Sequence, residues 1–319
     1  MSKRKVVLVG CGFVGMSMAY SLMQQDSGVD ELVLIDVNHD KAEGEAMDLS
    51  HGLPYINKKI DIYAGDYADC SDASVIVVTA GAAQKPGQTR LELTAINTRI
   101  AKSIGESIKK SGFNGVIICA SNPVDLMTFV LQQASGLPKK QVFGSGTMLD
   151  TARLRYLIGD FLKFNPSNIH GYILGEHGDS SFVPWTYVYV GTKPLIKYLE
   201  ENNLDLENLL DIYEQARDAA YIIIEKKQAT YYGIGISLAR LVSVVLNDDD
   251  AIIPLSVYQN GEFGKKGLYI GVPTVVNREG VKEIITLELN EFDQKKFDNS
   301  CDSLTKILDE IVIPILNES

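Results

Sequence analysis

The chain is predicted to fold as an α/β protein, a doubly wound parallel sheet followed by an α+β half, and three features of its sequence lead there. Short β-branched runs alternate with helical patterns over the first 145 residues. A glycine-rich turn, GCGFVG at residues 10–15, joins the first run to the first helix. After Asp150 the rhythm changes to long helical segments mixed with strand runs. Strands that alternate with helices imply a parallel sheet covered on both faces.

In chain order, the strand runs of the first part are residues 6–9, 32–35, 60–63, 75–78, 116–119 and 142–143. A helix is expected at 14–24, and another places Ile96, Ile100, Ile104 and Ile108 on one face. In the second part, helices are expected around 152–161, 206–227 and 234–246, with strands at 183–190, 252–257, 268–276 and 283–289. The expected domains are therefore 1–145 and 146–319. Between them no linker rich in Pro, Gly or Ser is seen, so close packing and a site in the crevice are expected.

At 319 residues the chain has material for about two domains. Thirty Lys and Arg against 41 Asp and Glu give a net charge of -11, which argues against a nucleic-acid partner. Before Gly10 the only apolar run is 6–9, too short for a signal peptide or a membrane span, so no membrane association and a cytoplasmic location are expected. Cys11, Cys70, Cys119 and Cys301 are far apart and form no CxxC. Neither a metal site nor a disulfide framework is expected from them, only small core residues.

Gly10, Gly12 and Gly15 follow a strand and open a helix, which is the context a dinucleotide fingerprint requires. The first permits a tight turn, the second admits a pyrophosphate to the backbone, and the third lets helix and strand pack closely. Asp36 follows Gly15 by 21 residues at the end of the second strand. A carboxylate there binds ribose hydroxyls and repels a 2′-phosphate, so a Rossmann-type domain holding NAD rather than NADP is expected.

Three polar segments remain. TAGAAQKPGQTRLEL, residues 79–93, sets neutral Gln84 six residues before cationic Arg90, and Gly81, Pro86 and Gly87 mark it as a loop at the carboxyl end of a strand. IHGYILGEHGDS holds His177, one of four histidines and a residue suited to moving protons near neutral pH. DTARLR places Asp150 and Arg153 three apart on one helical face. Taken singly, each also reads as ordinary structure: a solvated arginine, a structural histidine, an ion pair.

GCGFVG, AGAAQKPGQTR, SNPVD, DTARLR, GEHGD and ATYYGI occur here in the order seen in the lactate and malate dehydrogenase family, and over the whole chain the sequence resembles its bacterial L-lactate dehydrogenases. That resemblance implies reversible, NAD-dependent hydride transfer between L-lactate and pyruvate. It makes His177 the proton donor and acceptor, with Asp150 holding its ring. Arg153 would hold the substrate carboxylate in a two-pronged pair, and Arg90 would polarise the carbonyl as its loop closes. Asn122 and Asp125 of SNPVD and Thr230 of ATYYG would also meet substrate, Asn122 beside the nicotinamide. Cofactor contacts carry over to Val14, Asp36, Lys41, Tyr67, Gly81, Ala82, Ser103, Asn122 and Ser145 besides the three glycines.

Malate dehydrogenases carry an arginine at the position of Gln84 to pair the second carboxylate of their substrate. A neutral amide leaves that charge unpaired in a closed pocket and accepts a methyl group, which favours pyruvate. Hydroxyisocaproate-type dehydrogenases, which take larger 2-oxo acids, are an alternative, although they usually depart from the QKPGxTR pattern. NAD-dependent glycosidases share the dinucleotide domain but need a metal bound through Cys and His, and a non-catalytic NAD sensor would not need His177, Asp150, Arg90 and Arg153 together. Arg155 and His170 match positions that bind fructose 1,6-bisphosphate in allosteric bacterial relatives. The resemblance further implies a homo-oligomer, typically a homotetramer.

Overall fold

A computed structural model describes residues 4–82 and 89–318. Its first half contains β1 (Lys5–Val9), α1 (Phe13–Gln24), β2 (Glu31–Ile35), α2 (His39–His51), β3 (Asp61–Ala64), β4 (Val75–Val78), α3 (Arg90–Ser111), β5 (Val116–Cys119), α4 (Val124–Ser135) and β6 (Val142–Gly144). β1, β2, β4, β5 and β6 are buried along their whole length. Being covered on both faces is why these strands read as unbroken apolar runs rather than as alternation.

The second half contains α5 (Met148–Leu162), β7 (Ile169–His170), β8 (Tyr189–Val190), β9 (Lys193–Pro194), α6 (Leu195–Glu201), α7 (Asn208–Lys227), α8 (Tyr232–Asn247), β10 (Ala251–Asn260), β11 (Lys266–Asn277), β12 (Gly280–Ile284), α9 (Glu291–Ile307) and the short α10 (Ile313–Leu316). The main sheet has nine strands in the order β12-β11-β10-β6-β5-β4-β1-β2-β3. β1 to β6 run parallel, and the antiparallel β10–β12 extend the same sheet through the pairing of Ser256 with Gly144. The chain winds from β1 to β3 on one side, then crosses to β4 on the other. That reversal opens a crevice at the carboxyl ends of β1 and β4.

A second apolar cluster, with Leu154, Ile158, Ile173, Leu199, Ile212 and Ala216, lies beneath α5, α6 and α7. All four cysteines are free and buried, as small core residues should be.

Two strand expectations need correction. Within 183–190 only Tyr189–Val190 pairs as a strand, because Pro184 lacks a backbone donor and Trp185–Tyr187 forms a tight turn. Within 283–289 the strand stops at Ile284: Ile285 donates to the Pro273 carbonyl, and Pro273 has no N–H to return. The expectations also omitted α2, α4, α6, α9 and α10.

Candidate active site

The fingerprint turn lies at the crevice. Gly10 has φ +105°, and a Cβ there would lie 2.6 Å from the Ala80 nitrogen. A Cβ on Gly15 would overlap the Gly10 carbonyl, which also accepts from Thr79 Oγ1 at 2.7 Å. A Cβ on Gly12 would meet nothing within 4 Å. So Gly10 and Gly15 close the turn onto β4, whereas Gly12 leaves room beside the start of α1, whose first turn has no side-chain cap. An uncapped helix amino terminus favours an anion.

Asp36 accepts from the Cys11 nitrogen at 2.8 Å and the Asn38 nitrogen at 3.0 Å, which sets its carboxylate beside that turn. Val14 is partly buried in the first turn of α1, and Lys41 is exposed on α2. Tyr67 belongs to a short turn packed against α3, the helix that carries exposed Ser103. Gly81 and Ala82 follow β4, and buried Ser145 donates its N–H to the Cys119 carbonyl at 2.8 Å. An open glycine, an uncapped helix and a carboxylate at the end of β2 together fit NAD.

Asn97, which the sequence reading missed, fastens two loops of the crevice. Its Oδ1 accepts from the Ala82 nitrogen and its Nδ2 donates to the Asn122 carbonyl, both at 2.8 Å. Asn122 is thereby set at the mouth of the neighbouring cavity.

That cavity, about 300 Å³, is walled by Asn122, Asp150, Arg153 and His177, with Leu93 and Gly178 beside them. Asp150 lies in the first turn of α5, and its Oδ2 stands 2.6 Å from His177 Nδ1. Its Oδ1 accepts from Arg153 at 3.0 Å. The Asp150 charge beside it pushes the His177 imidazole up to about 9, against the effect of burial. For Asp150, burial alone would raise the carboxyl, yet the His177 and Arg153 charges hold it below its ordinary value. The arrangement is an imidazolium at neutral pH, its ring fixed through Nδ1, with Nε2 left for a substrate and a guanidinium close by.

The loop carrying His177 is held on both sides. The Gly175 nitrogen donates to the Gly271 carbonyl of β11 at 3.0 Å, and the Glu176 nitrogen donates to Ser300 Oγ of α9 at 2.6 Å. Besides Pro123, Asp179 and Ser181, the rest of the wall is α7: Arg217, Ala220, Tyr221 and Ile224 recur at the spacing of one helical face. This face was legible as a periodic pattern, but nothing in the sequence aimed it at His177.

Some expected residues are placed elsewhere. Asp125 is 2% exposed and does not line the cavity; both its oxygens are engaged inside the protein. Thr230, between α7 and α8, is likewise absent from the wall, because α7 itself forms that side. Gln84 and the Arg90 side chain lie outside the described residues; the Arg90 backbone opens α3 behind the Thr89 cap. Arg155 is partly buried on α5 and acts electrostatically on Tyr172, while His170 is exposed on β7. A larger cavity, about 720 Å³, lies at the opposite, amino-terminal ends of the strands, walled by Arg4, Ser74, Asn114 and Arg278. Size alone does not mark the chemistry.

Comparison with known proteins agrees with this geometry. Residues 4–144 match the family model for the lactate/malate dehydrogenase NAD binding domain, and residues 147–313 match that for the lactate/malate dehydrogenase alpha/beta C-terminal domain. L-lactate dehydrogenase 2 of Bacillus cereus is 50% identical over 313 residues, 98% of either chain. L-lactate dehydrogenase 2 of Lactococcus lactis is 47% identical, covering 97% of this chain and 99% of its own. Among solved structures, a lactate dehydrogenase from a Medee basin deep-sea metagenome library superposes with a TM-score of 0.95 at 48% identity, covering 98% of this chain and 99% of that one. The minor L-lactate dehydrogenase of Enterococcus mundtii, in its ligands-bound form, gives 0.94 at 45% identity with the same coverage.

Proposed function

Because the chain belongs to the lactate/malate dehydrogenase family, we propose that the cavity beside His177 reduces pyruvate to L-lactate, and the reverse, with NAD as the hydride carrier. The activity is that of an L-lactate dehydrogenase, an NAD-dependent oxidoreductase acting on a CH–OH group. The observation that carries this reading is the grouping of His177, Asp150 and Arg153 around one cavity next to the fingerprint crevice.

Each residue then has a task that follows from its chemistry. His177, protonated at neutral pH, gives its Nε2 proton to the carbonyl oxygen as charge develops there. Asp150 keeps the ring oriented and stabilises the imidazolium. Arg153 spends one N–H on Asp150 and has others for the substrate carboxylate. NADH, when bound, would supply the hydride to the carbonyl carbon. Gly12 and the start of α1 receive its pyrophosphate, and Asp36 its ribose hydroxyls. Arg90 would bring a cation to the carbonyl oxygen, where negative charge develops. Gln84, neutral, disfavours a second carboxylate.

The same reading places the chain in the cytoplasm as a homotetramer, at the last step of homolactic fermentation. Among the described residues no helix is long and apolar enough to cross a membrane. Arg155 and His170, repeated by symmetry across a subunit interface, would offer guanidinium and ring N–H donors to the phosphates of fructose 1,6-bisphosphate as an activator. A panel of 2-oxo acids assayed by NADH oxidation, with and without the sugar bisphosphate, tests substrate and regulation together. Pyruvate is expected to be the best substrate, with a lower KM when the bisphosphate is present; oxaloacetate turnover above pyruvate turnover would overturn the substrate assignment.

A further inference from the structure

Asp125 sits in the first turn of α4, directly behind the Asn122–Pro123 pair, and is 2% exposed. Its Oδ2 accepts from the backbone N–H of His177 at 2.9 Å. Its Oδ1 accepts from Ser256 Oγ at 2.5 Å, and Ser256, fully buried in β10, pairs in register with Gly144 of β6. One carboxylate thus joins the SNPVD loop, the His177 loop and the strand that links the two parts of the sheet. A buried carboxylate is costly unless both oxygens are bonded, and here one oxygen is bonded to the main chain of His177 and the other to buried Ser256.

We propose that Asp125 is a positioning residue for His177, fixing the backbone of the proton donor while Asp150 fixes its ring. Asp150 constrains Nδ1, and β11 and α9 hold Gly175 and Glu176; the bond to Asp125 is the one that acts on the main chain of His177 itself. A displacement of about 1 Å at a reacting group costs on the order of 10²-fold in rate, so such a bond matters to turnover without any contact with substrate. The Asp125 charge also supports the imidazolium from below, adding to Asp150. The other charged and titratable groups facing His177 are Arg153 of α5, Glu176 and Asp179 of its own loop, and Arg217 and Tyr221 of α7.

This assignment rests on His177 being the proton donor, so the test carries a His177→Gln reference. Asp125→Ala is expected to lower kcat for pyruvate by about 10²-fold with KM changed less than about threefold. Asp125→Asn can still accept from the His177 N–H and donate to Ser256; it should restore kcat to within about tenfold of wild type while moving the alkaline limb of the pH profile down by roughly half a unit to one. Ser256→Ala, a milder change, should reproduce the kcat loss in part. A folded Asp125→Ala with wild-type kcat and pH profile, beside an inactive His177→Gln, overturns the positioning role alone. If Asp125→Ala does not fold, an Asn variant whose alkaline pH limb stays at the wild-type position overturns it equally. A His177→Gln enzyme with wild-type turnover would overturn the proton assignment on which it stands.

Discussion

His177 Nδ1 stands 2.6 Å from Asp150 Oδ2, across 27 residues of chain and at the meeting of a loop with the first turn of α5. The contact fixes which ring nitrogen faces the substrate and how long the ring keeps its proton as pH rises.

The first consequence is a pH dependence of opposite sign in the two directions. The folded His177 value, raised to about 9, lies above the ordinary histidine value near 6.5. Reduction needs the protonated ring, so kcat/KM for pyruvate should stay level through neutrality and fall as pH rises through about 9. Oxidation of lactate needs the neutral ring and should rise over the same range. In Asp150→Asn both limbs should move toward lower pH, with kcat lowered by about 10²-fold or more; unchanged limbs in that variant would remove Asp150 as the cause.

Arg153 tests substrate binding. Lysine keeps the charge but loses the planar fork, so Arg153→Lys is expected to raise the KM for pyruvate about ten- to hundredfold, the equivalent of one charge-assisted hydrogen bond. NADH affinity, measured by fluorescence titration, should hardly change. A loss of NADH binding equal to the loss for pyruvate would count against the assignment.

Gly12 and Gly15 should respond differently although they belong to one motif. A Cβ on Gly12 meets nothing within 4 Å among the described residues, so Gly12→Val should fold with near wild-type thermal stability and lose NADH affinity at least about tenfold, since it fills the space left for pyrophosphate. A Cβ on Gly15 runs into the Gly10 carbonyl, so Gly15→Ala should cost about 1–3 kcal/mol of stability. Thermal denaturation with NADH titration separates the two, and equal destabilisation would refute the distinction.

Gln84 is argued from sequence. Gln84→Arg should shift preference from pyruvate toward oxaloacetate in steady-state kinetics, because the new cation pairs a second carboxylate that is otherwise unpaired in a closed site at a cost of several kcal/mol. No shift would mean that selectivity is set elsewhere in the pocket.

The parts of this site that were legible in the sequence are those whose chemistry is local. GCGFVG could be read because turn, pyrophosphate approach and helix start lie within six residues, and DTARLR because Asp150 and Arg153 share a helical turn. What could not be read is carried by distant partners. Ser256 reaches Asp125 across 131 residues and Ser300 reaches Glu176 across 124, and neither serine has a sequence context that distinguishes it from a surface hydroxyl. Asn97 was hidden for another reason, as a polar residue on a helix whose isoleucine face drew the attention. Asp125 was placed at the substrate by its motif, yet it is the motif's neighbour Asn122 that reaches the cavity. Where the strand expectations ran too long, prolines with no donor had ended the pairing.

Arg217, Ala220, Tyr221 and Ile224 all belong to α7, whereas the groups that move the proton belong to α5 and the loop after Gly175. Room for the substrate's side chain would then lie on α7, while Arg153, which would hold the carboxylate, shares α5 with Asp150. A bulkier or smaller residue at Ala220 or Ile224 would change the room available to a side chain of the 2-oxo acid, while Tyr221, donating to Asp179, and Tyr213, donating to the Ser181 carbonyl, tie that helix to the loop after His177. Ala220 and Ile224, whose side chains form no hydrogen bond, are therefore the positions on α7 at which a lineage could retune what the pocket accepts with the least disturbance of that loop.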